Sequence, residues 1–393
     1  SFEYCILSKM DVADVICLWI LYRRRLRRRQ KARKYWVHPI LQNRLTSSLY
    51  ITLYPSLRNY EPKFFNYFRT SIQSFDDLLE LIKGEFTADE SAIRYCISPE
   101  EKLIITLRYL ASGCSISELH YEYKIGKSTA SGIIRRVCKV IWRKLKNMVM
   151  PEPTKDKWIE ISKGFEIHAK FPNCIRALDG KHIRMIQPQN SGSLYYNYKH
   201  FFSLVLLALC DANYCFTWVD IGAYGKNSDS GIFKESTLYS KLTEKTLNIP
   251  DPSPINNSDE TILPYVIVAD EAFGMLENLM RPYMVETRRY IECTFGIISN
   301  KWRILHRPLD VDIDFAEYIV KAICVLHNYV RTRDGCSYED TFFTAPLSSL
   351  TGATTGRTIR VAHNVRAKFM DYFTNEGSVD WQNLVNRCTT IFK

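Results

Sequence analysis

The sequence predicts an α/β chain in which a helical N-terminal part leads into a sheet with acidic residues beside its strands. Two observations predict it. The first is a pair of short apolar, β-rich runs, residues 174–178 and 266–269, each followed at once by an aspartate, Asp179 and Asp270. Runs of that length read as buried strands. The second is helical spacing on either side of them: apolar residues recur every three or four positions in 62–68, 75–82 and 99–111, and again at Ile291, Phe295, Ile298, Trp302 and Leu305.

The chain has 393 residues, of which 46% are hydrophobic, enough for a catalytic-sized domain and a smaller one before it. Its net charge is +11, and residues 23–34 alone supply nine positive charges: Arg23, Arg24, Arg25, Arg27, Arg28, Arg29, Lys31, Arg33 and Lys34. Such a block reads as a nuclear localisation signal or a non-specific nucleic-acid arm, with a solvated charge run as the plainer reading. Twelve cysteines occur without a Cys-x-x-Cys pair, so free buried thiols are expected, not a zinc ribbon or redox motif. No membrane span is expected. Residues 12–22 are apolar but too short, contain Asp14 and precede the charges that a signal peptide would put first. Residues 1–20 begin without Met and are given no function.

Between the basic run and the sheet, Ser98-Pro99-Glu100-Glu101 marks a helix start. Residues 115–123, a turn at Ile125-Gly126 and residues 128–145 then read as helix-turn-helix. Lys127, Ser128, Thr129 and Ser131, followed by Arg135 and Arg136, have the character of a helix that enters a major groove, and Lys127, Ser131 and Arg135 are the candidate contacts. A structural three-helix bundle has the same periodicity. Met150-Pro151-Glu152-Pro153 ends this part. The expected organisation is a basic arm over 1–45, a helical, helix-turn-helix-like domain over 46–150, a catalytic domain over 151–335 and a loop and helical tail over 336–393.

Three acidic residues stand where a two-metal site for phosphodiester cleavage would need them: Asp179 and Asp270 at expected strand ends, and Glu292 on a helix, about 100° round from its apolar face. Such chemistry needs two divalent cations about 3.5–4 Å apart, and Mg²⁺ takes a few carboxylates while keeping several waters. Each residue has a plainer reading. Asp179-Gly180 is a good hairpin turn, Asp270 could cap a helix from Glu271, and Glu292 could pair with Arg288 or Arg289.

Longer strings carry a resemblance. Arg176-Ala177-Leu178-Asp179-Gly180-Lys181-His182, residues 188–198 and 201–213, Asp220-Ile221-Gly222-Ala223-Tyr224-Gly225 and Ser228-Asp229-Ser230-Gly231-Ile232-Phe233 resemble the core of PIF/Harbinger transposases. So do Val268-Ala269-Asp270-Glu271-Ala272-Phe273, residues 288–296, Trp302-Arg303-Ile304-Leu305 and Cys324-Val325-Leu326-His327-Asn328. The resemblance spans residues 30–385, including a tail around Tyr372-Phe373 and Trp381-Gln382.

The resemblance implies a ribonuclease-H-like mixed sheet flanked by helices, with Asp179, Asp270 and Glu292 as the metal ligands of a DDE endonuclease and two Mg²⁺ or Mn²⁺ ions as cofactors. Residues 201–209, 216–220 and 266–269 would be further strands, Asp211 and Asn213 turn residues, and Asp220 and Asp229 lesser candidates near the site. The implied partners are DNA and a separate Myb/SANT-like protein, and the implied location is the nucleus, with the cytoplasm as a second compartment. One feature departs from the family. The stretch from Asp270 to Glu292 is short, with a helix expected over 272–280, which favours the alternative of a decayed DNA-binding or adaptor protein; a scaffold that uses the fold to hold a partner is a third, weaker alternative.

Overall fold

Helices begin where the capping chemistry puts them. The computed structural model describes residues 11–29, 35, 37–86, 96–255, 261–281, 286–335 and 360–374, with the side chains of 26–29 and 286–288 outside that description. Helix α1 (Val12–Arg29) and short helical turns between Pro39 and Arg58 precede α2 (Glu61–Phe68), α3 (Ile72–Lys83) and α4 (Pro99–Ser112). The hydroxyls of Ser71 and Ser98 accept the N–H groups of Ser74 and Glu101 at the starts of α3 and α4. Then α5 (Ile116–Tyr123) opens on a reciprocal capping box between Ser115 and Glu118. Lys124, with φ 52°, ends it, and α6 (Lys127–Val149) follows, so the expected helix-turn-helix is present.

After α7 (Lys155–Ala169) come β1 (Cys174–Arg184), β2 (Ser203–Cys210) and β3 (Phe216–Tyr224). Helices α8 (Asp229–Glu235) and α9 (Thr237–Thr243), β4 (Val266–Ala269), β5 (Leu279–Met280), α10 (Glu286–Lys301), α11 (Ile313–Asp334) and α12 (Arg360–Thr374) complete the order of the main elements. The five strands form one sheet in the order β3-β2-β1-β4-β5. Strands β1, β2 and β3 pair antiparallel, and β1, β4 and β5 pair parallel. This is the expected ribonuclease-H-like mixed sheet flanked by helices. Every residue of β2 is buried, as a strand covered on both faces requires.

Two local expectations are corrected. Asp179 is not at the end of a strand or in a hairpin turn: β1 runs on to Arg184, because β2 is long enough to pair with it through Arg184↔Ser203. Residues 272–280 do not form a helix. The chain turns after Asp270, whose carbonyl accepts the Phe273 N–H, and Leu279 and Met280 then extend the sheet beside Ile267 and Val268. Hydrogen-bonding groups on the edge of β4 favour that pairing over a short isolated helix.

The helical part and the sheet do not have separate cores. One apolar cluster joins Phe64, Phe68, Phe75, Leu107 and Val137 to Ala177, Leu206 and Ala208 through Phe295 and the buried side of α11. The other sheet face packs on Trp158, Phe233, Leu238 and Phe273, and a third cluster sets Phe165 and Phe369 against Val266 and Val268. Asn328 links the parts: its Oδ1 accepts the Phe216 N–H at 2.8 Å, and its Nδ2 donates to the carbonyls of Phe216 at 2.6 Å and Val149 at 3.1 Å. His327 beside it is a core histidine on the Tyr214 carbonyl, pushed down to about 3 by burial. Cys114, Cys138, Cys174, Cys210 and Cys324 are buried free thiols. Among the described residues no helix is long and apolar enough to cross a membrane.

Replacing Asn328 by Leu leaves the Phe216 N–H and two carbonyls without their partner. The expected loss is about 2–4 kcal/mol, because buried polar groups then lack hydrogen bonds. A urea unfolding midpoint equal to the wild type's would show that Asn328 does not hold the two parts together.

Candidate functional site

The parallel register between β1 and β4 brings two carboxylates together. Leu178 stands opposite Ala269, so Asp179 and Asp270 are the next residues on two adjacent strands, which lie about 4.8 Å apart. The same local bond orients both. One oxygen of Asp179 accepts the Gly180 N–H at 2.8 Å, and one of Asp270 accepts the Glu271 N–H at 2.6 Å.

Asp229 joins them from α8. Ser228 caps that helix, accepting the Gly231 N–H. The Asp229 carboxylate lies so close over Gly180 that a Cβ there would stand 2.5 Å from its Oδ1. The glycine is needed for this approach. Burial, and then the Asp270 charge, raises the Asp229 carboxyl to about 6, while Lys199 acts against the shift.

Glu292 is on α10, whose Ile291, Phe295 and Ile298 pack on the sheet face. Lys181, one strand position on from Gly180, places its Nζ 5.6 Å from the centre of the Phe295 ring, so α10 covers the face that Asp179 shares with Lys181. Glu292 is half-buried one turn before Phe295. Among the described residues, no three His, Cys, Asp or Glu side chains converge closely enough to share a metal ion. Residues 282–285 of the expected short approach to Glu292 lie outside the described residues. The donor set is still all carboxylate oxygen, the type that hard divalent cations take, and the mutual repulsion of Asp229 and Asp270 is what such a cation relieves.

Asp220 lies elsewhere. It is exposed on β3, opposite Leu207, and its charged neighbours are Lys321 and Glu317 of α11. Asp211 makes the expected turn, accepting the N–H groups of Asn213 and Cys215.

A tight turn beside the carboxylates contains side chains that were not picked out from the sequence. Buried Asn197 accepts the N–H groups of Lys199 and Phe201 and donates to the Ser203 hydroxyl, which also bonds His182 Nδ1 at 2.9 Å. The turn therefore holds Tyr198 and Lys199 exposed above β1, with the Tyr198 and His182 rings 5.6 Å apart. Burial, then Lys199, pushes His182 down to about 4, so it is neutral at pH 7. The signal that could have found this turn is the aromatic and basic run Tyr195-Tyr196-Asn197-Tyr198-Lys199-His200.

The predicted nucleic-acid contacts differ in availability. Lys127 is exposed at the first turn of α6 and Ser131 is half-buried. Arg135 pairs with Asp312, and its guanidinium lies 5.0 Å over the Phe315 ring, so it joins α6 to the start of α11 and is not a free base reader. Arg23, Arg24 and Arg25 are exposed on α1. The side chains of Arg27, Arg28 and Arg29 lie outside the described residues.

Removing the Asp229 charge should reveal its strain. Its carboxyl rises above the ordinary value, so its contribution to stability is present at low pH and is lost as pH rises through about 6. In EDTA, Asp229→Asn should raise stability at pH 7.5 by about 1–2 kcal/mol, discounted for partial solvent access, with the gap closing by about pH 4. Parallel melting curves at all pH values would show that Asp270 does not strain Asp229.

Residues 178–328 match the family described as DDE superfamily endonuclease. The chain is similar to the ALP1-like protein of Arabidopsis thaliana, 27% identical over 304 residues that cover 71% of this chain and 73% of that protein. It is 26% identical over 298 residues to the Arabidopsis thaliana protein named antagonist of like heterochromatin protein 1, covering 70% and 74% of the two chains. With HARBI1 of Rattus norvegicus, a candidate nuclease by name, it shares 20% over 260 residues, covering 64% and 72%. No solved structure matches. The stretch from Leu178 to Asn328, which holds Asp179, Asp229, Asp270 and Glu292, is thus the part of the chain that matches the DDE superfamily endonuclease family.

Proposed function

We propose that this protein is a divalent-metal-dependent DNA endonuclease derived from a PIF/Harbinger transposase. The observation that supports it most is the β1–β4 register, which sets Asp179 beside Asp270 inside the matched endonuclease region. Asp179 and Asp270 would hold Mg²⁺ or Mn²⁺, with Glu292 as the third ligand of the DDE set and Asp229 beside them. Bound divalent ions would stabilise charge on the attacking and leaving oxygens of a phosphodiester. The chain's own part is orientation: the Gly180 and Glu271 N–H groups fix the two aspartates, and Lys199 and Tyr198 offer a phosphate and a base contact at the rim.

DNA is the proposed substrate and the nucleus the proposed location, with Arg23–Arg29 as arm or targeting signal. Lys127 and Ser131 at the start of α6 are the proposed groove contacts, and a separate Myb/SANT-like protein is the proposed helper. A second reading, a DNA-binding or adaptor protein with a decayed site, is favoured by one observation. No three metal-ligating side chains converge among the described residues. The relative named for antagonism of a heterochromatin protein fits that reading too.

Plasmid cleavage in Mg²⁺ or Mn²⁺ tests the proposal. Asp179→Asn and Asp270→Asn should each lower the rate at least about a hundredfold, since loss of a ligand charge disables the metal site. DNA binding and the fold should persist. Glu292→Gln should weaken Mn²⁺ binding. Equal Mn²⁺ affinity in wild type and Glu292→Gln, with cleavage by neither, selects the decayed-site reading.

The basic arm and α6 should fail differently. Neutralising Arg27, Arg28 and Arg29 should weaken binding to every DNA sequence and flatten its salt dependence, because phosphate contacts carry no base information. Replacing Lys127 and Ser131 should reduce preference for a cognate site, by about 1–3 kcal/mol per lost base contact. Competition against random DNA separates the two. Unchanged preference would make α6 purely structural.

A further inference from the structure

A buried arginine away from the carboxylates lacks the partners its burial demands. Arg176 belongs to β1, three residues before Asp179 and so about 10 Å along the strand. A register shift between Cys174 and Arg176 interrupts the β1–β4 pairing there. Arg176 is only 2% exposed, and its guanidinium lies 4.2 Å over the Trp158 ring. Among the described residues its Nε and Nη2 have no hydrogen-bond partner. Asp211 is the carboxylate whose charge reaches it, but Asp211 Oδ1 is already taken by the Asn213 and Cys215 N–H groups.

A charged group held this way is destabilising unless an anion meets it. Burial pulls the guanidinium down to about 9, against the Asp211 charge.

Arg176 lines a cavity of about 380 Å³. The cavity lies where the C-terminal end of α6 and the Met150–Pro153 link meet β3 and α9, and Trp142, Lys146, Asn147, Trp218 and Lys241 also line it. Trp142 and Trp218 are flat apolar walls, Lys146 sits with its Nζ 5.3 Å from the Trp142 ring, and Asn147 offers amide donors and an acceptor. Volume and chemistry suit a small ligand with an anionic end and a planar body. Arginine in particular matches phosphate oxygens with its fork of N–H donors.

We infer that this cavity binds a nucleoside monophosphate, with the phosphate on Arg176 and the base against the tryptophan walls. The ligand would bridge the helical part and the sheet, independently of any metal at the carboxylates.

Calorimetric titration of the full chain in EDTA, which keeps divalent ions off the carboxylates, tests this with dAMP, adenosine and inorganic phosphate as probes. The expected result is saturable binding of dAMP, at least tenfold weaker binding of phosphate and none of adenosine. Arg176→Leu should abolish dAMP binding while the protein stays folded, since an apolar replacement of a buried, unpaired charge is often neutral or stabilising. Trp142→Ala, at a half-buried position, should weaken dAMP at least tenfold and leave phosphate little changed. It also keeps the test decisive should Arg176→Leu misfold. No saturable dAMP binding at millimolar concentration, or equal dAMP affinity in wild type and Trp142→Ala, would overturn the assignment.

Discussion

The structure depends on β1 being paired in opposite senses on its two edges. Antiparallel pairing with β2 runs from Ala177 to Arg184, while parallel pairing with β4 stops at Leu178↔Ala269. Where the parallel partner ends, β1 continues, and Asp179 occupies that step. A carboxylate in the interior of a two-sided sheet would be prohibitively desolvated. At the step it is half-buried, with the turn after β4 providing Asp270 as its neighbour. The surrounding helices follow from this. Helix α8 can bring Asp229 over the bare backbone of Gly180 from one side, and α10 covers the other side through Phe295.

The second constraint is that the N-terminal helices have no core of their own. Helix α11 is buried along most of its length because it serves α6 and the sheet at once, and three polar devices fix its position. Asn328 bonds the end of α6 and the start of β3, Asp334 accepts the Ser71 N–H and the Ser71 and Ser74 hydroxyls at the start of α3, and Asp312 pairs with Arg135. A helix-turn-helix mounted on such a helix cannot swing as a tethered module.

Charge is arranged to match. The carboxylates are concentrated at one sheet end, with Lys199 and Lys181 as the nearest cations, while the surplus positive charge lies on α1 and on the exposed start of α6. In the proposed function, the distant basic residues would attract a phosphate backbone and the carboxylates would be left for hard cations. Arg176 does not fit this division. It is a cation sealed behind Trp158, on the sheet face opposite the one that packs on the helical part, and it lines a cavity.

Much of this was legible in the chain alone. The apolar runs before Asp179 and Asp270, the stripe of Ile291, Phe295 and Ile298, and the caps at Ser98 and Ser115 specify their own elements, because periodicity and capping act within a few residues. The motif strings identified the endonuclease family and its mixed sheet. Tertiary structure decided what depends on pairing between distant segments. It carried β1 through the Asp179-Gly180 turn signal because β2 offered a full ladder, and it replaced the helix expected over 272–280 with a strand because β4 had an open edge. It set Asp229 against Gly180, took Arg135 out of the groove-facing set by pairing it with Asp312, and closed Arg176 behind Trp158. None of these contacts has a local signature, since each is settled by which surfaces must be buried together when the helices and the sheet share one core.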